Sequence, residues 1–185
     1  MFYRNQIVTI YDTAFKKHPE WFSWKFRLAY NFLIPILANK VRFIFTDSEV
    51  IKQEIVEEYR IKPEKICAIH LGVSDIFLNQ TEKNKFIDDQ EDYILTVSSH
   101  HPRKNYNKLI EAFNLLENKN IKLYVIGNVV SHFTSSLNLD LVEEDRIIFL
   151  KGITDEELAQ YYRNAKLFVF TSLYEGFGIP IIEAM

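Results

Sequence analysis

Short apolar runs alternate with helical patterns along most of this chain. Three runs in the first part predict buried strands, at 6–12, 42–48 and 65–72, and four more follow at 93–98, 122–127, 146–152 and 166–172. Between these runs, apolar residues recur at helical spacing at about 22–40, 48–59, 105–117 and 154–163. Continuous apolar strands that alternate with helices predict parallel sheets covered by helices on both faces.

The ends of three helices are marked by the residues that usually stand there. Ser48 is a candidate N-cap for the helix predicted at 48–59. Pro63 prevents that helix from continuing further along the chain. Thr154 and Glu157 have the spacing of a capping box. Near the end of the chain, Pro180 suits the first position of a helix.

A polar and charged segment divides the chain into two parts. We predict a domain at 1–78, a linker at 79–92 and a second domain at 93–185. The fold class is therefore α/β with two Rossmann-like parallel-sheet domains. Both look incomplete, because no glycine loop follows the first strand and only five residues follow Pro180. We expect an internal piece of a longer two-domain protein.

Composition narrows the class of protein only slightly. Hydrophobic residues at 48% and charged residues at 25% are ordinary for a globular protein, and the net charge of −3 gives no case for nucleic-acid binding. Residues 4–42 are basic and aromatic, with seven Lys or Arg against two Asp or Glu. This segment is either a solvated helix face or a surface for anionic lipid or substrate. The one cysteine, Cys67, stands in an apolar run, so we expect it to be buried.

The segment from Glu175 to Met185 carries the clearest chemistry. Glu175 and Glu183 flank a loop that contains Gly176, Gly178 and Pro180, directly after the apolar run 167–170. Each carboxylate can accept hydrogen bonds from neighbouring sugar hydroxyls, and the glycines let backbone amides approach a ligand closely. The alternative is that both acids are surface residues near a helix N-terminus, where acids are favoured.

The string SLYEGFGIPIIEAM resembles the signature of retaining glycosyltransferases of the two-Rossmann-domain type (GT-B), family 4. The segments 98–116, with its Pro-Arg-Lys-Asn turn, and 152–178 resemble the same family's second domain. In the first part, 9–23 and 46–77 resemble the end of that family's acceptor domain.

The resemblance implies a role for each matching position. Glu175 would hold hydroxyls of the donor sugar, and Glu183 would hold the nucleotide ribose. Arg103 and Lys104 would bind the diphosphate, whose charge grows as it leaves. Backbone amides from Gly176 to Ile179, including Phe177 and Gly178, would face the donor. The resemblance implies no metal and no cofactor beyond the nucleotide-sugar substrate.

One position departs from the family pattern. The family has Ile-His-Asp where this chain has Ile10, Tyr11 and Asp12, so Tyr11 and Asp12 become the candidate residues beside the reacting sugar. A tyrosine can donate a hydrogen bond, but its reach and acidity differ from those of histidine. This difference leaves a second hypothesis open, in which the chain is a non-catalytic remnant or half of a split protein whose missing parts come from another chain. A third, a sugar-nucleotide epimerase, lacks support from these motifs.

The leading hypothesis is a hexosyltransferase. It would move a sugar from a nucleotide-diphosphate donor to a glycan or lipid-linked acceptor, with mannose as the suggested sugar, in the synthesis of cell-surface polysaccharide. We expect a cytoplasmic protein with peripheral contact at the inner face of the membrane.

Overall fold

The computed structural model describes residues 5–78, 91–99, 101–127 and 145–185. The chain forms two compact units, of which the first contains Met1–Gly72 and Tyr174–Gly178 and the second contains Val73–Leu173 and Ile179–Met185. Nearly all of the linker predicted at 79–92 lies outside the described residues. The domain boundaries drawn from the sequence therefore remain a prediction.

The first unit contains a parallel sheet of three described strands. These are β1 (Ile7–Thr9), β2 (Phe43–Thr46) and β3 (Ile66–Ala68), in the order β1-β2-β3. Ile44 at the centre is in register with Val8 on one side and Ile66 on the other. The helices are α1 (Ala14–Lys17), α2 (Trp24–Lys40) and α3 (Glu49–Tyr59), and 3₁₀ turns occupy Pro19–Trp21 and Pro63–Lys65.

The cap predicted at Ser48 is confirmed. Its hydroxyl accepts a hydrogen bond from the backbone N–H of Ile51 at 3.2 Å, at the start of α3. The same helix ends at Tyr59, where Arg60 adopts a left-handed backbone conformation with φ of 53°. A second serine, Ser23, caps α2 by accepting from the N–H of Phe26 at 3.4 Å.

One hydrophobic cluster holds the first unit together, on one face of the described sheet. Ala38 of α2 and Ile51 and Ile55 of α3 pack against Ile44 and Ile66 of the strands. Residues that alternate with these point away, and Phe43 is 40% exposed. The prediction that Cys67 is buried is wrong, because Cys67 lies between Ile66 and Ala68 on the outward side of β3 and is exposed.

The second unit contains a parallel sheet of four described strands. These are β4 (Tyr93–Val97), β5 (Lys122–Ile126), β6 (Ile147–Leu150) and β7 (Leu167–Phe168), in the order β6-β5-β4-β7. The helices are α4 (Asp75–Leu78), α5 (Tyr106–Asn114), α6 (Asp155–Asn164) and α7 (Ile179–Glu183), with a 3₁₀ turn at Pro102–Lys104.

Helices cover both faces of the second sheet, as the apolar runs predict. Ile94 and Leu123 join the cluster that contains Ile110 of α5, whereas their strand neighbours Tyr93 and Tyr124 join another cluster. That second cluster includes Tyr162 of α6. Adjacent residues of one strand thus face opposite layers.

Helix α6 begins with the capping box predicted at Thr154 and Glu157. The Thr154 hydroxyl accepts from the N–H of Glu157 at 3.3 Å, and the Glu157 carboxylate accepts from the N–H of Thr154 at 2.8 Å. Among the described helices, none combines the length and apolarity needed to cross a bilayer.

Candidate functional site

In the first unit, Tyr174–Gly178 packs against the residues that follow β1 and β2. We call this segment the Glu175 loop. Its carbonyl at Gly176 accepts a hydrogen bond from the Ser48 hydroxyl at 2.7 Å, so Ser48 anchors the loop as well as capping α3. At the far end of the loop, the Phe177 ring lies 5.6 Å from the ring of His70, measured between centroids.

Gly176 fits because it has no side chain. A Cβ atom at this position would lie 2.2 Å from the carbonyl oxygen of Tyr11 and 2.8 Å from Oδ2 of Asp47. Both distances are shorter than van der Waals contact allows. The approach of the Tyr11 backbone thus accounts for a glycine at this position, and the close approach of a ligand stays a prediction.

A partly buried hydrogen-bond network holds the other end of the loop. The hydroxyl of Tyr174 donates to the Glu54 carboxylate at 2.6 Å, and the buried Thr13 hydroxyl donates to the same oxygen. The backbone N–H of Thr13 donates to the Tyr174 hydroxyl at 3.2 Å. Burial first, and then the hydrogen bond to Glu54, raises the pKa of Tyr174, so its proton stays in the network.

Three carboxylates come together beside the loop. Asp47 follows β2 and is 5% exposed, and within the described part of the chain its Oδ1 has no hydrogen-bond partner. Burial is the main cause that raises the pKa of Asp47, and the charges of Asp12 and Glu175 raise it further. The first unit therefore brings the carboxylates of Asp12 and Glu175 near that of Asp47, with the backbone of Tyr11 beside the loop.

Tyr11 points outward from this group. It is 60% exposed, although its backbone carbonyl lies under Gly176. Its neighbour Asp12 accepts a hydrogen bond from the N–H of Ala14 at 3.1 Å, at the start of α1. The phenol of Tyr11 is thus accessible, and a role for Tyr11 and Asp12 beside the sugar stays a prediction.

In the second unit, Arg103 and Lys104 lie in the 3₁₀ turn that follows β4. Lys104 is 7% exposed, and its Nζ atom lies 5.2 Å from the centroid of the Phe170 ring. The turn is fixed to the segment after β7, because Thr171 donates to the carbonyl of Lys104 and the N–H of Leu173 donates to that of Arg103, both at 2.8 Å. The backbone of this turn is thus held by the segment after β7, and the side chain of Lys104 is buried.

Glu183 lies at the end of α7 in the second unit. Its carboxylate accepts a hydrogen bond from the Tyr162 hydroxyl at 2.9 Å, and burial is the main cause that raises its pKa. The hydrogen bond leaves further lone pairs of the carboxylate available for other donors. Ile179 begins α7 directly after Gly178, which has φ of 91°.

Sequence reasoning missed Asp47, Glu54, Tyr162 and Tyr174. Asp47 carries a detectable signal, because an acidic residue directly after a buried strand lies at the carboxyl edge of a parallel sheet, where ligands bind. The other three interact through partners far away in the sequence, for example Tyr174 with Glu54, and no local pattern marks them.

Comparison with known proteins identifies glycosyltransferases as relatives of this chain. The family model described as glycosyl transferases group 1 matches residues 78–185. The chain is 30% identical to the O-antigen chain mannosyltransferase RfbU of Salmonella typhimurium, over 98% of this chain and 50% of RfbU. It is 28% identical to O-antigen chain mannosyltransferase B of Escherichia coli, over 80% of this chain and 42% of that protein.

A solved structure shows the same fold. Anabaena HepE, determined in complex with UDP and glucose, matches with a TM-score of 0.75 at 18% identity, over 98% of this chain and 50% of HepE. The chain thus has the α/β architecture of GT-B glycosyltransferases and spans about half the length of the curated relatives RfbU and mannosyltransferase B. On the match of its residues 78–185 and its identity to RfbU, the chain belongs to the glycosyl transferases group 1 family.

Proposed function

We propose that this chain takes part in the transfer of a hexose, with retention, from a nucleotide-diphosphate sugar to a glycan or lipid-linked acceptor. The observation that carries the proposal is the anchored Glu175 loop, which places Glu175 near Asp47, on which Asp12 also acts. Carboxylates grouped in this way accept hydrogen bonds from the hydroxyls of a sugar. The mannosyltransferases among the relatives favour mannose as that sugar and cell-surface polysaccharide as the product.

Each predicted residue has a role in this proposal. Glu175 holds sugar hydroxyls, with Tyr11 and Asp12 beside the sugar, and Glu183 holds the ribose. Arg103 and Lys104 offset the charge that develops on the leaving diphosphate, without a metal ion. A cation as well buried as Lys104 acts in a medium of low dielectric constant, where its effect on a developing negative charge is large. The backbone amides from Gly176 to Ile179 face the donor.

We place the protein at the cytoplasmic face of the membrane, in peripheral contact with it. Helix α2 exposes Trp24, Leu28 and Phe32, spaced four residues apart on one face, to between 66% and 68%. Lys25 and Arg27 flank these apolar side chains. A helix face of this kind lies in the interface of a bilayer that contains anionic lipid.

Thermal unfolding of the chain with GDP, UDP and ADP tests nucleotide binding. We expect one nucleotide to raise the melting temperature, since a ligand at a hundredfold over its dissociation constant adds roughly 2.7 kcal/mol. Lys104→Met and Glu183→Gln should each weaken that binding about tenfold or more, because each removes a charge-assisted hydrogen bond. The matched controls are Lys108→Met and Glu156→Gln on exposed helix positions, and equal affinities in all four variants would contradict the assignment.

Comparing the sugar nucleotide with the nucleotide tests the role of Glu175. GDP-mannose should stabilise the chain more than GDP does, and Glu175→Gln should remove that difference while leaving GDP binding intact. If GDP-mannose still stabilises Glu175→Gln more than GDP does, the sugar does not bind at the Glu175 loop. A chain that binds no nucleotide at all would favour the hypothesis of a non-catalytic remnant.

A further inference from the structure

A second concave site lies in the first unit, where β2 and β3 begin. It is an open cleft of about 520 Å³, and its described lining includes the cations Arg42, Arg60, Lys62 and Lys65 and the acid Glu64. We call it the basic pocket. Because the strands are parallel, this is the opposite edge of the sheet from the one that carries Tyr11, Asp12 and Asp47.

Two of these cations contact other groups of the first unit, and hydrogen bonds fix one of them. The Lys65 ammonium donates to the carbonyls of Ala38 and Asn39, both at 2.7 Å, at the end of α2. These bonds use two of its three donors and leave one. The Arg42 guanidinium lies 6.0 Å from the centroid of the Phe43 ring, which also lines the pocket.

Three of the four cations of the pocket form no ion pair with an acid in the part of the first unit that the structure describes. Within residues 5–78, which the structure describes, no salt bridge joins Glu64 or any other carboxylate to Arg42, Arg60 or Lys62. Four cations against one acid in a single concavity create a local positive potential, although the net charge of the chain is −3.

Arg60 occupies a conformation that favours glycine. Its φ of 53° is left-handed, at the position after α3 where glycine commonly ends a helix. A residue with a Cβ atom is strained there, and such strain is concentrated at functional sites. Lys65 contacts the carbonyl end of α2, and the partial negative charge of that helix end accounts for a lysine there. The same charge does not explain why a strained arginine stands at position 60.

We propose that the basic pocket binds a phosphate-bearing anion, either on a soluble metabolite or on a lipid headgroup. The planar fork of arginine matches the geometry of phosphate oxygens, and Arg42 and Arg60 supply two such forks beside Lys62. The volume lies in the range of small-molecule sites and admits a group as large as a diphosphate.

The test separates binding from folding by using Arg60→Gly, which removes the cation but suits the left-handed backbone. Thermal unfolding is followed during a titration with sodium pyrophosphate, against sodium chloride of equal ionic strength. Without pyrophosphate, Arg60→Gly should melt at or above the temperature of the unchanged chain. Arg60→Gly and Arg42→Gln should each weaken pyrophosphate binding about tenfold, whereas the exposed control Lys151→Gln should not.

Two further arms fix the site and the source of the phosphate. Lys104→Met reports pyrophosphate bound at the turn in the second unit, so a loss confined to that variant would overturn the proposal. Sedimentation with vesicles of phosphatidylglycerol and phosphatidylcholine reports lipid phosphate. If the Arg42 and Arg60 variants lose binding to vesicles but keep binding to pyrophosphate, the phosphate belongs to a lipid. If they bind both probes like the unchanged chain, the basic pocket is no phosphate site.

Discussion

The backbone of Tyr11 and the side chain of Asp47 fill the space beside Gly176. An alanine there would meet the carbonyl of Tyr11 at 2.2 Å, and backbone cannot move aside as a flexible side chain can. Gly176→Ala should therefore lower the free energy of unfolding by about 1–3 kcal/mol, the usual cost of overpacking. Urea unfolding gives this value, with Gly72→Ala as the matched control because a Cβ atom added at Gly72 would meet no packed neighbour within 4 Å. Equal effects in the two variants would contradict the anchored loop.

Asp47 makes the stability depend on pH. Burial, aided by Asp12 and Glu175, raises its pKa, so the folded chain holds the Asp47 proton to a higher pH than the unfolded chain does. Stability contributed by this group is therefore lost as pH rises from the ordinary aspartate pKa through the raised folded value. Asp47→Asn should be more stable than the unchanged chain at pH 7, and the two should converge in acid. Urea midpoints across that window measure the difference, and a constant gap would assign it to something other than titration.

At the scale of single residues, the sequence points to the loop but not to what holds it. Glu175 and Gly176 stand in a recognisable string, and in the structure Glu175 and Asp12 both act on the charge of Asp47. Glu54 and Tyr174 are ordinary helix and loop residues until the fold joins them over 120 positions of sequence. Long-range packing of this kind leaves no periodic trace, so it could not have been predicted from one sequence.

Ser48 links two elements, and its removal should cost more than the loss of a helix cap. Ser48→Ala removes the cap of α3 and the hydrogen bond to the Gly176 carbonyl, whereas Ser23→Ala removes only the cap of α2. A cap contributes about 1 kcal/mol and a further hydrogen bond about another 1 kcal/mol. We expect losses of about 2 and about 1 kcal/mol respectively in urea unfolding. A smaller loss in Ser48→Ala than in Ser23→Ala would show that the loop does not depend on this anchor.

At the scale of elements, apolar pattern and capping chemistry predict most of what forms. The runs at 93–98 and 122–127 correspond to β4 and β5, and the box at Thr154 begins α6. The observed β7 contains only Leu167 and Phe168, although the apolar run is longer. The error at Cys67 has a physical reason, since an apolar run does not show which strand has its second face uncovered.

Charge and apolar surface give a prediction for the whole chain. It should sediment with vesicles of phosphatidylglycerol and phosphatidylcholine but not with phosphatidylcholine alone, and added salt should weaken the binding. Trp24→Ser or Phe32→Ser should lower the affinity about tenfold, since each removes a large exposed apolar group from α2. Leu115→Ser, at an 84% exposed position of the second unit, is the control. If Leu115→Ser alone lost vesicle binding, the membrane contact would lie in the second unit and not on α2.

For the whole molecule, the sequence indicates two parallel-sheet parts and a basic first quarter. The net charge of −3 gives no indication of the basic pocket. Its cations come from two separate segments, Arg42 and the stretch Arg60–Lys65. The fold brings the two segments to one edge of the sheet because the ends of α2 and α3 lead into adjacent parallel strands. Sequence segments of ordinary charge density thus produce a concentrated field only once they are folded.

The outward orientation of Cys67 makes the chain convenient for spectroscopy. Since it is the only cysteine and is exposed on β3, a maleimide dye should attach at a single defined position in the first unit. Both tryptophans, Trp21 and Trp24, belong to that unit as well. Energy transfer from indole to dye would therefore follow the folding of the first unit without an engineered cysteine. If the thiol of Cys67 is left unmodified in air, its oxidation would join two chains through an intermolecular disulfide.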